Sequence, residues 1–520
     1  MSGPQVTTAS GRLRGLSTRG AQVFLGIPYG GPVSGEQRFR APSPPWSWTG
    51  TREATVFGPV APQADIRSAA MGRWGELLDL IYPGFGNPLE GRASGEDCLV
   101  LNVWTPSADG DARPVMVWFH GGGFQHGAAS EMMFHGEQLA CREDIVLVTV
   151  NHRLGVLGYT ALADLAGDDF AGSGIAGVLD LVAALEWVRT NISAFGGDPG
   201  NVTIFGQSGG GAKVATLLGM PQAAGLYHKA IIQAGPGLRA ISRERGSRVA
   251  AELLAAFGLQ AREAARLREI PLEQLIAHQQ SLLRRHFPLN EGLAIGPVID
   301  DDQLPAHPFD PVPAPFCANV PLLIGTNADE AGMFLTEDEA FSVNMDLDSA
   351  RSRLSAAVGE RTDDVLAAYQ DLYPHLPAAR LLSRALSNAM MRAPSIRLAE
   401  RKLAQPASVF MYLFTYETPV LGGLVRSCHS SELPFIFSTV DRIPFAGDRP
   451  DRFEMAAIMG RTWAAFARTG HPGGGSLPAW PAYDTDRRAT MLLDLAPELA
   501  HDPDREALAA VADTPSPVFG

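Results

Sequence analysis

The sequence predicts an α/β fold with a large, mostly parallel central sheet, helices on both faces, and helical insertions over the carboxyl edge of the sheet. Two nearly continuous apolar runs, 114–120 and 145–151, are typical of strands that are buried on both faces. After the second run, residues 176–192 carry apolar side chains at helical spacing, and a further strand is predicted at 202–205. Strands that alternate with helices in this way favour a doubly wound parallel sheet.

The remaining elements follow in chain order. Residues 4–29 contain short strands broken by glycines, which we expect at an antiparallel edge, and Leu99, Leu101 and Val103 alternate as in a half-buried strand. Further strands are predicted at 202–205, 229–233, 320–325, 409–416 and 491–495. Helices are predicted at 74–81, 176–192, 212–218, 241–285, 347–404 and 455–469.

Length and composition indicate one large folded unit. The chain has 520 residues and is 46% hydrophobic, which is ample for a large core, so we expect a single domain over residues 1–520. The helical stretches of about 241–286 and 347–404 interrupt the order of the strands. We expect them to be insertions that form the walls of a substrate pocket.

The net charge, the absence of long apolar runs and the cysteine pattern limit which partners and which cellular compartment we expect. The formal net charge of −14 argues against nucleic acid, whose phosphates require a basic face. The absence of an apolar run of about 18 residues predicts no membrane-spanning helix, and the start M-S-G-P-Q-V-T-T lacks the features of a signal peptide. The four cysteines fit neither a disulfide framework nor a zinc pattern. We therefore expect a cytoplasmic protein that binds no metal. The sequence does not fix the oligomeric state, which is a monomer or a small homo-oligomer.

A G-x-S-x-G motif around Ser208 is the first sign of chemistry. An apolar strand precedes it and a helix-forming run follows it, which is the layout of a nucleophile elbow. Flanking glycines permit the sharp turn that exposes the serine hydroxyl, and the N-terminus of the following helix presents N–H groups to an anion. Ser208 is therefore the candidate nucleophile.

Acyl transfer by a serine also needs a base and an acid, which in such hydrolases follow the serine in the order acid, then histidine. The segment T-N-A-D-E after the strand ending at Gly325 offers Asp329 or Glu330 as the acid. The loop after the strand ending at Tyr416 offers His429 as the base. Each follows the carboxyl end of a strand, where the active sites of open α/β sheets lie.

Three consecutive glycines after the strand ending at His120 indicate an oxyanion hole. Glycine permits backbone conformations in which successive N–H groups point into one space. We therefore expect the N–H groups of Gly122, Gly123 and Gly209 to hold the oxyanion.

Taken together, these motifs resemble the type B carboxylesterases, and in particular the bacterial p-nitrobenzyl-esterase-like group related to cholinesterases. The matching segments are F-L-G-I-P-Y ending at Tyr29, Arg38-Phe39, G-E-D-C-L-V-L-N ending at Asn102, H-G-G-G-F ending at Phe124, N-H-R-L-G ending at Gly155, A-F-G-G-D-P ending at Pro199, F-G-Q-S-G ending at Gly209, L-L-I-G-T-N-A-D-E ending at Glu330, H-S-S-E-L-P-F ending at Phe435 and A-F-A-R-T-G ending at Gly470. The resemblance implies an α/β-hydrolase fold, and Glu330 rather than Asp329 as the acid. It also implies two structural ion pairs, Arg38 with Glu96 and Arg153 with Asp180.

Several positions depart from that family's pattern. Gln207 stands where the family usually has a glutamate, so a negative charge beside the reacting groups is missing. Gly86 stands where cholinesterases have a tryptophan, so no aromatic face is available there for a choline group. Cys98 matches a disulfide cysteine of secreted relatives, but Ala61 occupies the position expected for its partner. These departures favour neutral substrates and a reducing compartment.

The expected function is hydrolysis of neutral carboxylic esters through an acyl-enzyme, without a cofactor. We expect Phe124, Gln207, Met333 and Phe334 to contribute to the substrate pocket. One alternative is that the same three residues hydrolyse carbamates, amides or xenobiotic aryl esters. A second alternative is a non-catalytic binding protein on this fold, which the retained serine, acid and histidine disfavour.

Overall fold

The computed structural model describes residues 3–64, 72–83, 93–285, 294–475 and 477–512, and the fold is organised by a sheet of 11 strands. The described residues form 14 strands, which are β1 Gln5–Thr8, β2 Gly11–Arg14, β3 Leu16–Thr18, β4 Ala21–Pro28, β5 Thr51–Glu53, β6 Val100–Thr105, β7 Arg113–Phe119, β8 Val146–Val150, β9 Gly197–Gln207, β10 Lys229–Gln233, β11 Leu322–Asn327, β12 Val409–Phe414, β13 Ala489–Leu493 and β14 Glu498–His501. Of these, β1, β2 and β5 form a separate sheet of three strands. The helices are α1 Gly72–Ile81, α2 Glu137–Glu143, α3 Gly155–Tyr159, α4 Ala163–Ala166, α5 Ala176–Asn191, α6 Gly209–Leu218, α7 Arg243–Ala256, α8 Leu272–Arg285, α9 Ala331–Leu335, α10 Leu347–Val358, α11 Thr362–Leu372, α12 Ala378–Ser387, α13 Ala393–Lys402, α14 Leu433–Ile436, α15 Arg452–Thr469 and α16 Arg505–Val511.

The large sheet is mostly parallel, as predicted. Its strand order is β14-β13-β12-β11-β10-β9-β7-β8-β6-β4-β3. Every pair from β8 to β13 is parallel, whereas β6, β4 and β3 form an antiparallel edge and β14 pairs antiparallel at the opposite edge. Because parallel strands share one direction, their carboxyl ends lie along one edge, where the predicted site residues were expected.

The prediction of a half-buried strand near residue 100 is wrong, because all six residues of β6 are buried. β6 lies between β8 and β4 inside the sheet, so both of its faces are covered. Leu101 and Val103 face one core, and Trp104 faces the other. The polar Asn102 between them is also buried, and its amide donates to Thr149 Oγ1 at 3.0 Å.

Helices cover both faces of the sheet. Alternate residues of β7 point to opposite faces, so Val115 and Val117 join one hydrophobic core and Met116 and Trp118 join the other. The first core includes side chains of α5, and the second includes side chains of α15. These two layers bury the sheet and hold its strands in register.

One helical segment of the described residues is strongly apolar. Of the described residues, only Asp168–Phe195 forms a helical segment long and apolar enough, by length and composition, to cross a membrane. In this fold, 78% of its most apolar window is buried inside the protein. Its main helix, α5, packs in the first core, so we interpret the segment as a core element.

The two helical blocks attach to the chain in different ways. In the first, α8 contacts α3, and Gln279 Oε1 accepts the Val156 N–H at 3.0 Å. In the second, Ser387 Oγ of α12 accepts the Ala331 N–H at 2.9 Å, beside Glu330. The last helix of that block, α13, instead contacts β11 and β12 and so covers the sheet. Residue 286, the predicted end of the first block, lies outside the described residues, and the role of both blocks as pocket walls stays a prediction.

Both ion pairs implied by the family resemblance are present. Arg38 makes two hydrogen bonds to Glu96, at 2.5 and 2.7 Å. Arg153 binds Asp180 through Nε at 2.9 Å and Nη2 at 2.6 Å, and both side chains are buried. Because each pair is bidentate, it fixes the geometry of the segments it joins as well as neutralising charge.

Candidate active site

Ser208 occupies a sharp turn between the end of β9 and the start of α6. Its backbone is strained, with φ 57° and ψ −127°, and its N–H is held by the Gln233 carbonyl oxygen at 2.8 Å. A Cβ on Gly210 would overlap the carbonyl oxygen of Phe119, so only glycine permits this close approach of helix and strand. The turn leaves the Ser208 side chain partly exposed, while its chain neighbours are buried.

His429 and Glu330 come from loops after adjacent parallel strands, β12 and β11. His429 Nδ1 lies 2.5 Å from Glu330 Oε2, and both side chains are buried. The other oxygen of Glu330 accepts the Asn327 N–H at 2.6 Å, which fixes the carboxylate. The Glu330 carboxylate therefore orients the imidazole with Nδ1 as donor, and leaves Nε2 to accept a proton.

Asp329, the alternative acid, lies in a different environment. It is buried, and burial raises the pKa of its carboxyl group, opposed by the positive charges of Arg380 and Arg384. Its N–H donates to the Ser427 carbonyl oxygen at 3.0 Å. In the described part of the chain, only the Glu330 carboxylate is bonded to His429.

Gln207 and Phe334 enclose the imidazole of His429. The Gln207 side-chain nitrogen lies 3.1 Å from Nε2 and 3.3 Å from Nδ1, and the Phe334 ring centroid lies 5.0 Å from that of the imidazole. Among the described hydrogen bonds, Gln207 rather than Ser208 contacts Nε2. Catalytic hydrogen bonds commonly tighten only in the substrate complex, so this geometry is compatible with Ser208 as nucleophile.

The three-glycine loop packs directly against the turn that carries Ser208. Gly122 and Gly123 have φ of +87° and +58°, and the Gly122 carbonyl oxygen accepts the N–H groups of Gln125 and His126 at 2.9 and 3.0 Å. A Cβ on Gly209 would lie 2.5 Å from the Gly123 nitrogen, so the two backbones touch.

Three backbone donors of these segments are available to an anion. Among the described residues, the N–H groups of Gly122 and Gly123 have no protein acceptor. Gly209 is the first residue of α6, where an N–H has no acceptor within the helix. The arrangement suits an oxyanion beside Ser208.

The predicted pocket residues differ in exposure. Phe124 is buried and packs edge-on against Tyr159 at 5.3 Å, Met333 and Gln207 are also buried, and Phe334 is partly exposed. Their contribution to substrate binding stays a prediction. The position of Gly86, on which the prediction of a missing aromatic face depends, lies outside the described residues.

Two buried ionisable groups near the site were not identified from the sequence. Glu432 accepts the amide groups of Gln233 at 3.0 Å and Asn327 at 2.7 Å, and burial, with the charge of Glu330, raises its pKa to about 7. Lys213 lies on α6 behind the glycine loop and is completely buried. For Glu432, its place three residues after His429 in H-S-S-E was an available signal, whereas nothing in the pattern around Lys213 indicates burial.

Potential metal ligands are not clustered in the part of the chain that the structure describes. Among the described ranges, no group of three or more His, Cys, Asp or Glu side chains is placed to hold a metal ion. The side chains around Ser208 can instead supply a nucleophile, a general base, its orienting acid and backbone donors for an oxyanion.

Comparisons with known proteins show the family of the chain. Residues 2–511 match the model of the carboxylesterase family. The chain is 34% identical over 504 residues to the para-nitrobenzyl esterase of Bacillus subtilis (strain 168), covering 96% of this chain and 97% of that protein. It is 32% identical to the phenmedipham hydrolase of Pseudarthrobacter oxydans, again covering 96% and 97%. The crystal structure of a Geobacillus stearothermophilus carboxylesterase superposes with a TM-score of 0.82 at 37% identity, covering 97% of this chain and 99% of that one.

Proposed function

The chain belongs to the carboxylesterase family and is a carboxylic-ester hydrolase, and from that premise we propose that it cleaves neutral esters through an acyl-enzyme on Ser208. The observation that carries the proposal is the bond between His429 Nδ1 and Glu330 Oε2, 2.5 Å long, at the same edge of the sheet as Ser208. It leaves Nε2 as the one ring nitrogen that can take up a proton.

The proposed acylation step uses all three side chains. Ser208 Oγ attacks the ester carbonyl carbon while its proton passes to His429 Nε2, and the carbonyl oxygen becomes an oxyanion held by the loop N–H groups. The intermediate then collapses, the bond from carbon to the alcohol oxygen breaks, and His429 returns its proton to the leaving alcohol. Glu330 stabilises the imidazolium while it exists.

Deacylation repeats the sequence with water. His429 accepts a proton from water as its oxygen attacks the acyl carbon, and the second tetrahedral intermediate releases the acid when Ser208 Oγ recovers the proton. Every proton in the cycle moves between His429, Ser208, the alcohol and water, so the proposal requires no cofactor.

A preference for neutral esters is supported by the charge near the site. Gln207, which contacts His429, is neutral, so it exerts no pull on a cationic substrate. A Cβ on Gly123 would meet nothing within 4 Å, which leaves space beside the glycine loop for bulky alcohol groups.

A substrate panel tests the proposal. We expect turnover of para-nitrobenzyl and aryl butyrates at least as fast as of butyrylcholine, with measurable hydrolysis of tert-butyl acetate. A fluorophosphonate probe should label the wild-type protein on Ser208, and Ser208→Ala should remain folded, unlabelled and inactive. Labelling that persists in Ser208→Ala, or a much higher kcat/KM for butyrylcholine than for a neutral butyrate of similar leaving-group reactivity, would contradict the proposal.

A second candidate activity follows from one relative. Since a protein 32% identical over nearly the whole chain is a phenmedipham hydrolase, phenmedipham belongs in the same panel, together with an aryl carbamate and an anilide. Its turnover by the wild-type protein and not by Ser208→Ala would assign both activities to one site.

We also infer a reducing compartment. All four cysteines are free thiols, and Cys98 is buried with a pKa raised by burial, which keeps the thiol protonated and unreactive. Fractionation of the source cells with an antibody to this chain tests the inference, and recovery outside the cytoplasm would contradict it.

A further inference from the structure

Lys213 is a buried cation with no anionic partner at contact distance. It lies on α6, five residues after Ser208, and its side chain is completely buried. Among the described residues, no carboxylate lies within ion-pair distance of its ammonium group, and its hydrogen-bond acceptors are two backbone oxygens. Because burying an unpaired ammonium is costly, its retention calls for a compensating role.

The two acceptors belong to the start of the three-glycine loop. Lys213 Nζ donates to the His120 carbonyl oxygen at 2.8 Å and approaches that of Gly121 at 3.5 Å. The Gly121 carbonyl oxygen is also 3.0 Å from His120 Nδ1. The carbonyl oxygens of His120 and Gly121 are therefore both on the side of Lys213.

The direction of the Gly121 carbonyl fixes the direction of one oxyanion donor, the Gly122 N–H. In a trans peptide the C=O and N–H groups point in opposite directions. The Gly121 carbonyl and the Gly122 N–H belong to one peptide unit, so holding the oxygen toward Lys213 turns that N–H the other way. A cation on the oxygen also polarises the peptide and strengthens its N–H as a donor.

Two stacked histidine rings lie beside the contacts of Lys213. The rings of His120 and His152 lie parallel, with centroids 4.7 Å apart. Burial, and then the charge of Lys213, lower the pKa of both histidines, which keeps them neutral. Burial lowers the pKa of Lys213 itself to about 7, against the opposing charge of Glu131. The centroid of the Phe124 ring lies 5.5 Å from Nζ.

We propose that Lys213 is a positioning residue for ester hydrolysis: its Nζ group holds the carbonyl oxygens of His120 and Gly121, which fixes the start of the glycine loop so that the Gly122 N–H faces Ser208 and binds the transition-state oxyanion. The inference rests on the proposed function, since it presumes that an oxyanion forms beside Ser208. It assigns to Lys213 no contact with the substrate.

The test compares two buried lysines that hold backbone oxygens. Lys402 on α13 is equally buried, and its Nζ donates to the Cys317 carbonyl oxygen at 2.8 Å, on the chain segment that precedes β11. Lys213→Met and Lys402→Met therefore both remove a buried contact to a backbone oxygen, near the loop in one case and before β11 in the other, and Lys402→Met also removes a hydrogen bond to Gln405 Oε1.

We expect kcat to fall by roughly 30- to 300-fold in Lys213→Met with KM changed less than about threefold, because only transition-state binding is lost. The affinity for an aryl trifluoromethyl ketone, whose adduct with Ser208 carries an oxyanion, should fall by the same factor as kcat/KM. Lys402→Met should lower the melting temperature and leave kcat within about twofold. If Lys213→Met is recovered unfolded, Lys213→Gln provides the same measurements, with a smaller loss expected.

Two results would overturn the inference. One is a kcat for the Lys213 variant as high as that of Lys402→Met, and the other is a loss of rate with no loss of affinity for the ketone. Either is distinguishable from failure of the proposed function, because in that case the wild-type protein itself would hydrolyse no ester and react with no fluorophosphonate.

Discussion

The side-chain amide of Gln207 lies almost equally far from the two ring nitrogens of His429, 3.1 Å from Nε2 and 3.3 Å from Nδ1. Nδ1 is already engaged by Glu330, so an amide hydrogen of Gln207 can be accepted only at Nε2, the atom that must accept the Ser208 proton. The residue before the nucleophile is thus poised to influence the base directly.

A carboxylate at this position should change the pH dependence. Gln207→Glu places a negative charge beside the imidazole, which favours its protonated form, so the acid limb of the kcat/KM profile should move up by about one pH unit. The neutral variant Gln207→Met should leave the limb where it is in the wild-type protein. A limb that moves equally in both variants would show that charge is not the cause.

The two acidic side chains after β11 should behave differently. Glu330→Gln should lower kcat by about 10³- to 10⁴-fold, since the imidazole loses the group that fixes its tautomer. Asp329→Asn is the matched control and should keep kcat within about threefold, because Asp329 does not contact His429. Steady-state kinetics with a para-nitrophenyl ester measure both, and equal losses would reject Glu330 as the orienting acid.

Adjacent glycines of the loop offer a second matched pair. A Cβ on Gly122 would overlap the His126 carbonyl oxygen, so Gly122→Ala should displace the loop and lower kcat by roughly 100-fold for every ester. On Gly123 the Cβ would enter open space at a φ of +58°, a strain of about 1 kcal/mol. Gly123→Ala should therefore retain most activity on methyl butyrate but lose turnover of tert-butyl acetate.

Glu432 provides a prediction for stability. Its folded-state pKa, about 7, is raised above the usual value, so the unfolded chain releases this proton at lower pH than the folded protein does. Its stabilising contribution is thus complete near pH 4 and is lost as pH rises toward 7. This loss lowers the free energy of unfolding by roughly 3 kcal/mol at most.

Glu432→Gln removes this titration. Relative to the wild-type protein, the variant should become steadily more stable between pH 5 and pH 8 in urea unfolding experiments. A hydrogen bond lost in the variant changes its free energy of unfolding equally at every pH. It therefore does not affect how the stability difference varies with pH. A stability difference independent of pH would contradict the assignment of a raised pKa.

The fold was largely predictable because buried parallel strands have a strong sequence pattern. β7, β8 and β10 are short and have mostly apolar residues, and they lie within about one residue of their predicted bounds. β14 was missed because Glu498–His501 is a mostly exposed edge strand with no apolar pattern. The burial of β6 was mispredicted as half, because the polar Asn102 is buried and makes its hydrogen bonds inside the protein.

The sequence was enough to predict which loops form the site. It was not enough to predict how their side chains and the neighbouring helix contact one another. Motif order identified the loops that carry Ser208, Glu330 and His429, because each follows a recognisable strand. The contact of Gln207 with the imidazole and the burial of Lys213 depend on how α6 and the glycine loop pack together. A helix-forming run with one lysine is equally compatible with an exposed lysine, so that packing leaves no mark in the sequence.

The strand order also has a consequence for how the protein is made. β11 is synthesised well before its neighbour β12, because the residues of α10 to α13 lie between them in the chain. Until β12 is made, the edge of β11 that will pair with it has no partner. From Ser208 to His429 the ribosome needs roughly 10 to 45 s. During that time a nascent chain carries the nucleophile without its base, and an uncovered apolar strand edge is open to association with other chains. Expression conditions that slow translation after β11 should therefore increase aggregation more than those that slow it after β13.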